Sequence, residues 1–491
     1  MNTKRNIKAM LAVFTALFVL LAGYLVYIIG AYGPYWFASP YNTRVTNQKN
    51  TVWAGSILDR NGVVLAYTNA DGEREYAAEE SLRLATAHVI GDNSGQTLGA
   101  EALFAKYLLG FEQSIGEQLS YLVSGEQRRG KDISLTIDSA LCTYASSLLD
   151  GNDGAIFLMN YKTGEVLACT ASPTFDPARM SEYTTGEYAL AEGSMVNRAT
   201  MGRYTPGSTF KIITTIAALR YLPNIEERTF NCDGPLVFEK ESGKLVSGVN
   251  PYDEEGELYS KYVLLRDHED AVHGTLTLAE AFAVSCNHVF AEIALEIGEE
   301  KLRQTAESLG FNGTFLFDEL VAYAGSFGEA QTDFALAWSG VGQHTDILTP
   351  IHLCLITSAI ANDGVAMEPK LLLQVSGTST SAPVADFVPE AYQTLLKGNE
   401  AEFLASCMRG VVEHGTGTQA AVSGYSVCGK TGTAEISSAE NALSHAWFTG
   451  YVDSEAFPYA ITVIVERAGG GGTIAAPIAA KVLEYAIVCS Q

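Results

Sequence analysis

The sequence predicts an α+β protein, an antiparallel sheet covered by helices, held behind one membrane-spanning helix. Three observations predict it. A charge-free apolar run lies near the N-terminus, pairs of apolar strand-like segments are joined by turn residues, and long segments repeat their apolar residues with the helical period.

The anchor comes first. Lys4, Arg5 and Lys8 precede a run from Ala9 to Ile29 without a single charge, long enough to cross a hydrocarbon core of about 30 Å. Residues 1–8 are therefore expected to form a cytoplasmic tail and residues 9–32 a transmembrane anchor, because a positive flank stays on the cytoplasmic side. Everything after Tyr32 is then extracytoplasmic. A cleaved signal would want a shorter apolar core and small residues at a cleavage site, where this chain has Tyr24, Tyr27 and Tyr32.

Residues 33–132 read as a small N-terminal pedestal. Ser56 to Leu65 is strand-like, with Asn61-Gly62 as a hairpin signal, and Ala100 to Leu109 is helical. No charged catalytic constellation stands out there.

From residue 133 to 491 the pattern is that of a larger domain. A helix is expected after Asp138, then Ala155–Met159 and Val166–Ala171 as strands joined around Lys162-Thr163-Gly164. Helical periodicity covers Thr209–Tyr221, Leu278–Ile297 and Pro350–Ala361, and Phe448–Val452 and Tyr459–Val465 return to strand.

Bulk composition narrows the function. With 491 residues, 47% hydrophobic and 18% charged, the chain is globular and large enough for two cores. Its formal charge of −25 repels phosphate backbones, so nucleic acid is excluded as a partner. The eight cysteines include no CxxC pair, so no metal site is expected, and several lie in apolar runs, as buried free thiols do.

Three short motifs carry chemistry. Ser208-Thr209-Phe210-Lys211 stands where a loop becomes an apolar helix, which puts the serine and the lysine one turn apart on one face. A buried lysine beside a second cation loses its proton near neutral pH and can take that of a hydroxyl. Ser285-Cys286-Asn287 offers a hydroxyl and a carboxamide two residues apart. Lys430-Thr431-Gly432-Thr433 follows an apolar pair, and on a strand it would line a cleft in which the cation and two hydroxyls grip a carboxylate. The first motif arises by chance about once in a chain of this length, and the third in roughly one chain in ten.

In this order the three form the set shared by penicillin-binding proteins and class A β-lactamases. The chain resembles the class B, monofunctional, short-form penicillin-binding proteins, serine D,D-transpeptidases. The likeness extends to Gly55–Gly62, Leu135-Thr136-Ile137-Asp138, Cys232-Asp233-Gly234, His273-Gly274-Thr275, Gly340-Val341-Gly342-Gln343, His445-Ala446-Trp447-Phe448 and Ala475–Ala479. It implies a transpeptidase domain of the penicillin-binding and β-lactamase type and a Ser208 acyl-enzyme formed from a D-Ala-D-Ala stem peptide or, covalently and inhibitorily, from a β-lactam. Lys211 is then the general base and Ser285 the proton shuttle. Asn287 binds a substrate amide, while Lys430, Thr431, Gly432 and Thr433 hold the carboxylate, and the N–H groups of Ser208 and Thr433 form the oxyanion hole. No cofactor is implied. The partners implied are peptidoglycan stem peptides, a membrane glycan polymerase and the division or elongation machinery. The N-terminal region lacks the length and acidic motif of a glycosyltransferase.

Other readings remain. A D,D-carboxypeptidase or a β-lactam-binding sensor would use the same acyl-enzyme, and a silent scaffold would not need these residues intact. Gly424–Thr431 satisfies the P-loop pattern literally, but a true P-loop opens a helix at its lysine. His352 departs from the resemblance and is expected to pack in a helix, and His445 to be a satisfied or solvated loop histidine.

Overall fold

The computed structural model describes residues 3–39, 42–253, 255–376, 383–435 and 443–490. An anchor helix runs Thr3–Ala38, and its Asn6–Gly30 stretch is apolar and long enough to cross a membrane. Tyr32 and Trp36 stack one turn apart just beyond that stretch, where aromatic side chains favour a membrane interface.

The Asn-Gly signal marks a true hairpin. Ile57–Leu58 pairs antiparallel with Val64–Thr68, Gly62 takes φ 82°, and Asp59 Oδ1 accepts the N–H groups of Asn61 and Val63 at 2.8 and 2.9 Å. The expected Ala100–Leu109 helix is two single turns, Ala100–Leu103 and Ala105–Leu108, separated at Phe104. The hairpin belongs to a six-stranded sheet ordered Pro383–Asp386, Leu372–Ser376, Ile133–Leu135, Ile57–Leu58, Val64–Thr68, Arg74–Tyr76. Strands from either side of residue 132 thus share one sheet.

The sheet that positions the site has five antiparallel strands, in the order Val427–Ala434, His445–Val452, Tyr459–Val465, Gly154–Asn160, Val166–Ser172. Its inner strands are buried on both faces. Helices Pro350–Ala361 and Ala475–Cys489 pack against it. Pro350–Ala361 is apolar all round because nearly every residue in it is buried. Val427–Ala434 is the edge strand, and its open side faces the helices that carry the other two motifs.

One expectation is overturned. Leu278–Ile297 is not a continuous helix: it divides into Leu278–Val284 and Asn287–Ile297, with Ser285 between them in the left-handed region at φ 62°. Apolar periodicity runs on through the break and hides it. Seven cysteines are buried, Cys489 is exposed, and none is bridged.

Candidate active site

Ser208 sits in a single 3₁₀ turn, Gly207–Phe210, that leads into the helix Lys211–Tyr221. The turn is clamped from several sides. Tyr204 and Leu348 exchange backbone hydrogen bonds, the Gly207 N–H donates to Gly342 at 2.8 Å, and Trp447 Nε1 donates to the Thr205 carbonyl at 3.1 Å. Glu466 Oε1 accepts from Tyr204 OH at 2.8 Å and pairs with Arg198 at 3.0 Å, which fixes the approach to the turn. Ser208 is half-buried and lines a cleft of about 810 Å³.

The left-handed elbow at Ser285 turns its hydroxyl and the Asn287 carboxamide into the same cleft. Such a conformation costs a non-glycine residue on the order of 1–3 kcal/mol and persists only where its surroundings hold it. Asp267 supplies the hold. Its Oδ1 accepts the Asn287 N–H, and Asn287 Nδ2 donates to the Arg266 carbonyl at 2.8 Å. The carboxamide oxygen is left for Lys211.

On the edge strand, Lys430 and Thr431 are buried and Thr433 is half-buried. Thr431 Oγ1 lies 2.6 Å from Thr416 Oγ1, and Thr433 Oγ1 accepts the Gly471 N–H at 3.3 Å. The Thr433 carbonyl accepts from Gln343 Nε2 at 3.1 Å, away from the neighbouring strand. In a strand the N–H and C=O of one residue point the same way, so the Thr433 N–H also faces the open edge beside Ser208. Gly432 permits this approach: a Cβ there would lie 2.8 Å from Thr209 Cγ2 and 3.1 Å from the Pro206 carbonyl oxygen. The P-loop reading fails here, since Lys430 and Thr431 lie inside a strand rather than at a helix start.

The three motifs converge on one oxygen. Ser285 Oγ accepts from Lys211 Nζ at 3.1 Å and from Lys430 Nζ at 2.9 Å. Lys211 Nζ also donates to Asn287 Oδ1 at 2.7 Å and to the Ser285 carbonyl at 2.5 Å. Ser208 Oγ makes no hydrogen bond among the described residues; Ser208 lines the cleft, and Lys211 follows it by three residues, where the 3₁₀ turn leads into the helix. Burial pushes Lys211 down to about 8, against the opposing pull of Asp267. Lys430 is driven well below the ordinary lysine value by burial and then by Lys211. With both amines pushed down, the pair as a whole favours losing a proton near neutral pH.

His352 is fully buried in its helix. Its Nδ1 accepts the Gly325 N–H at 2.9 Å and its Nε2 donates to the Leu309 carbonyl at 2.8 Å, and burial lowers it to about 4. His445 Nδ1 accepts the Arg467 N–H, and its ring stands edge-on to Tyr204.

Motif spacing gave no sign of Asp267 or Thr416, each of which touches a motif residue from a distant loop. It also gave no sign of a cluster behind the elbow. Cys232 and Cys286 Sγ each lie 3.3 Å from Asp267 Oδ2, and His273 Nδ1 lies 3.5 Å from that oxygen and 3.6 Å from Cys232 Sγ. All four donor atoms fall within 4.8 Å of one another. Zinc bonds of 2.0–2.3 Å place tetrahedral ligands roughly 3.3–3.8 Å apart, so this donor set fits a thiophilic divalent cation. Such an ion would hold Asp267 and Cys286, and through them the Ser285–Asn287 segment.

Residues 154–233 and 245–484 match the penicillin-binding protein transpeptidase domain family. The chain is 28% identical over 479 residues to the peptidoglycan D,D-transpeptidase PbpA of Mycolicibacterium smegmatis, covering 92% of each. It is 29% identical over 484 residues to the stage V sporulation protein D of Bacillus subtilis, covering 91% of this chain and 68% of that one. Among solved structures, the ceftriaxone acyl-enzyme of penicillin-binding protein A from M. tuberculosis superposes with a TM-score of 0.77 at 25% identity, covering 89% of this chain and 99% of the other. The D,D-transpeptidase domain of a peptidoglycan glycosyltransferase from Eggerthella lenta gives 0.73 at 28% identity, with 89% and 99% covered. With more than half of its length matched and the three motifs gathered in one cleft, the chain belongs to the penicillin-binding protein transpeptidase family.

Proposed function

We propose that the chain is a peptidoglycan D,D-transpeptidase whose nucleophile is Ser208. The observation that carries the reading is the single hydroxyl of Ser285 held between two buried amines, in the cleft that Ser208 lines. Ser208 Oγ attacks the carbonyl of the penultimate D-Ala and gives its proton to neutral Lys211. The N–H groups of Ser208 and Thr433 meet the developing oxyanion, where a single donor is typically worth about 10²–10³ in rate. Collapse breaks the peptide bond, and the departing D-Ala amine takes a proton relayed through Ser285. An amine from a neighbouring stem peptide then attacks the ester, releases Ser208 and leaves a cross-link.

Asn287 is placed to hold the donor peptide amide, and Lys430, Thr431 and Thr433 its terminal carboxylate. A carboxylate entering beside Lys430 favours the ammonium form, so substrate binding itself recharges a group that burial had made basic only weakly. The same grip accepts the carboxylate of a β-lactam.

The tail of residues 1–8 is assigned to the cytoplasm and the catalytic part to the outer side, with residues 33–132 as a membrane-proximal pedestal. Lipid-linked glycan lies at that surface, so a membrane glycan polymerase and the division or elongation machinery are the protein partners proposed. Two measurements test the reading. A fluorescent penicillin should label the wild type and fail to label Ser208→Ala; labelling of that variant removes Ser208 from its role. Incubation with lipid-linked peptidoglycan and a polymerase should give cross-linked dimers, whereas only free D-Ala and trimmed monomers would make the enzyme a carboxypeptidase.

A further inference from the structure

The helix Ile115–Ser124 is built inside out for a protein in water. Ile115, Leu119, Leu122 and Val123 are 78%, 53%, 78% and 88% exposed, whereas Glu117, Gln118 and Tyr121 are the half-buried positions. Those apolar residues recur at the i, i+4, i+7, i+8 spacing of one helix face. The helix is nonetheless well formed. Ser114 and Glu117 make a reciprocal capping box, Gln118 Nε2 donates to the Gln113 carbonyl at 3.0 Å, and Gly125 closes the C-terminus in the left-handed region. A capped helix that turns its polar side to the protein and its apolar side outward is expected to have a cover.

Its position says what the cover is. Phe111, four residues before the helix, packs edge-on against Phe37 of the anchor helix at a centroid distance of 5.1 Å, and both rings join Val45 against Ala54, Ala105 and Leu109. Phe37 follows the exposed Trp36 and the Tyr32–Trp36 stack, the aromatic pair expected at the lipid headgroups. It lies seven residues past Gly30, the end of the apolar span, a rise of about 10 Å. Four extended residues reach at most about 14 Å. The helix Ile115–Ser124 is thereby tied to headgroup level by the anchor itself.

We propose that Ile115–Ser124 is an interfacial helix that lies on the outer leaflet, Ile115, Leu119, Leu122 and Val123 inserted among the acyl chains. With the anchor it gives the pedestal two points of attachment, which fixes the tilt of the pedestal on the membrane where a single helix would leave it free to swivel. Its only charge is Glu117, on the side turned to the protein. Docking therefore depends on apolar insertion and proceeds on zwitterionic phosphatidylcholine, with little response to salt.

The test uses the full chain in phosphatidylcholine vesicles. An environment-sensitive fluorophore is attached at Val123→Cys in a Cys489→Ser background, the remaining cysteines being buried, and brominated lipids act as quenchers. The proposal expects a blue-shifted emission that brominated lipid quenches, and a loss of both in I115S/L119S, with fluorescent-penicillin labelling retained in every variant as proof of folding. Water-like, unquenched emission overturns it. So does a blue shift that brominated lipid leaves untouched, which would mean a second copy or another protein covers the face, and so does quenching that survives I115S/L119S.

Discussion

Lys211 and Lys430 donate to the same oxygen, Ser285 Oγ, from 3.1 and 2.9 Å. Two amines that share one acceptor in a buried site cannot both hold their full complement of protons comfortably, and this relationship determines how the enzyme should respond to pH and to mutation.

The acylation rate with a β-lactam should rise with pH, pass half its plateau near 8 and level off above that. Burial lowers Lys211 to about 8, and in the proposed mechanism only its neutral amine accepts the Ser208 proton, so the active fraction grows as pH climbs through that value. Stopped-flow acylation between about pH 6 and pH 10 measures it. A profile that stays flat across the range would assign the base to another group. In Lys430→Ala the rising limb should stay near 8, because burial rather than Lys430 holds Lys211 down. The same variant loses its charge-assisted contact with the ligand carboxylate, worth about 1.5–3 kcal/mol.

Ser285→Ala should lower acylation by about 10²–10⁴, the usual contribution of a positioned proton relay. It removes the oxygen on which both amines are oriented, and alanine carries no hydroxyl to relay the proton. Far-UV circular dichroism should be unchanged, since the elbow is also held by the Asn287 backbone bond to Asp267. Activity near the wild-type level would move the relay to a water or to Asn287.

Much of the fold and of the site is legible in the sequence. The sheet strands announce themselves as apolar runs because both of their faces are buried, and Pro350–Ala361 reads as a helix for the same reason. The three motifs are local, so each can be found within four residues. What sequence periodicity misses is backbone conformation with no compositional mark: Ser285 takes φ 62° inside an unbroken apolar pattern. It also misses pairings made only by folding. Asp267 reaches Asn287 from a loop, and Cys232, His273 and Cys286 come from separate elements, so their chain spacing resembles no metal motif. Periodicity also cannot say which way an apolar face turns, and that of Ile115–Ser124 points outward.

Zinc should stabilise the chain. Binding to the folded state at a free concentration one hundred times Kd adds about 2.7 kcal/mol, visible as a higher unfolding midpoint and, by native mass spectrometry, as one ion per chain. The Cys232 and Cys286 thiols are pushed up by burial, so uptake should release protons and weaken as pH falls. Cys232→Ser and His273→Ala should each lose the added stability. An identical midpoint with and without zinc would leave the four side chains as a hydrogen-bonded cluster around Asp267.

Gly432→Ala should damage acylation more than stability. A Cβ at this position would lie 2.8 Å from Thr209 Cγ2, 3.1 Å from the Pro206 carbonyl oxygen and 3.1 Å from Trp447 Cβ. The first two belong to the Ser208 turn and the third to the neighbouring strand, so the methyl group is caught between the two parts that must touch. Relief comes only by moving the Lys430 strand away from Ser208, and overpacking of this kind costs about 1–3 kcal/mol. The same shift carries the Thr433 N–H away from the oxyanion, a loss of about 10²–10³ in rate for one donor. Thermal unfolding and fluorescent-penicillin labelling, measured on one preparation, separate the two effects. A large drop in midpoint with labelling retained would mean that Gly432 serves packing alone, whereas a modest drop with labelling lost places the close approach of strand and turn at the centre of catalysis.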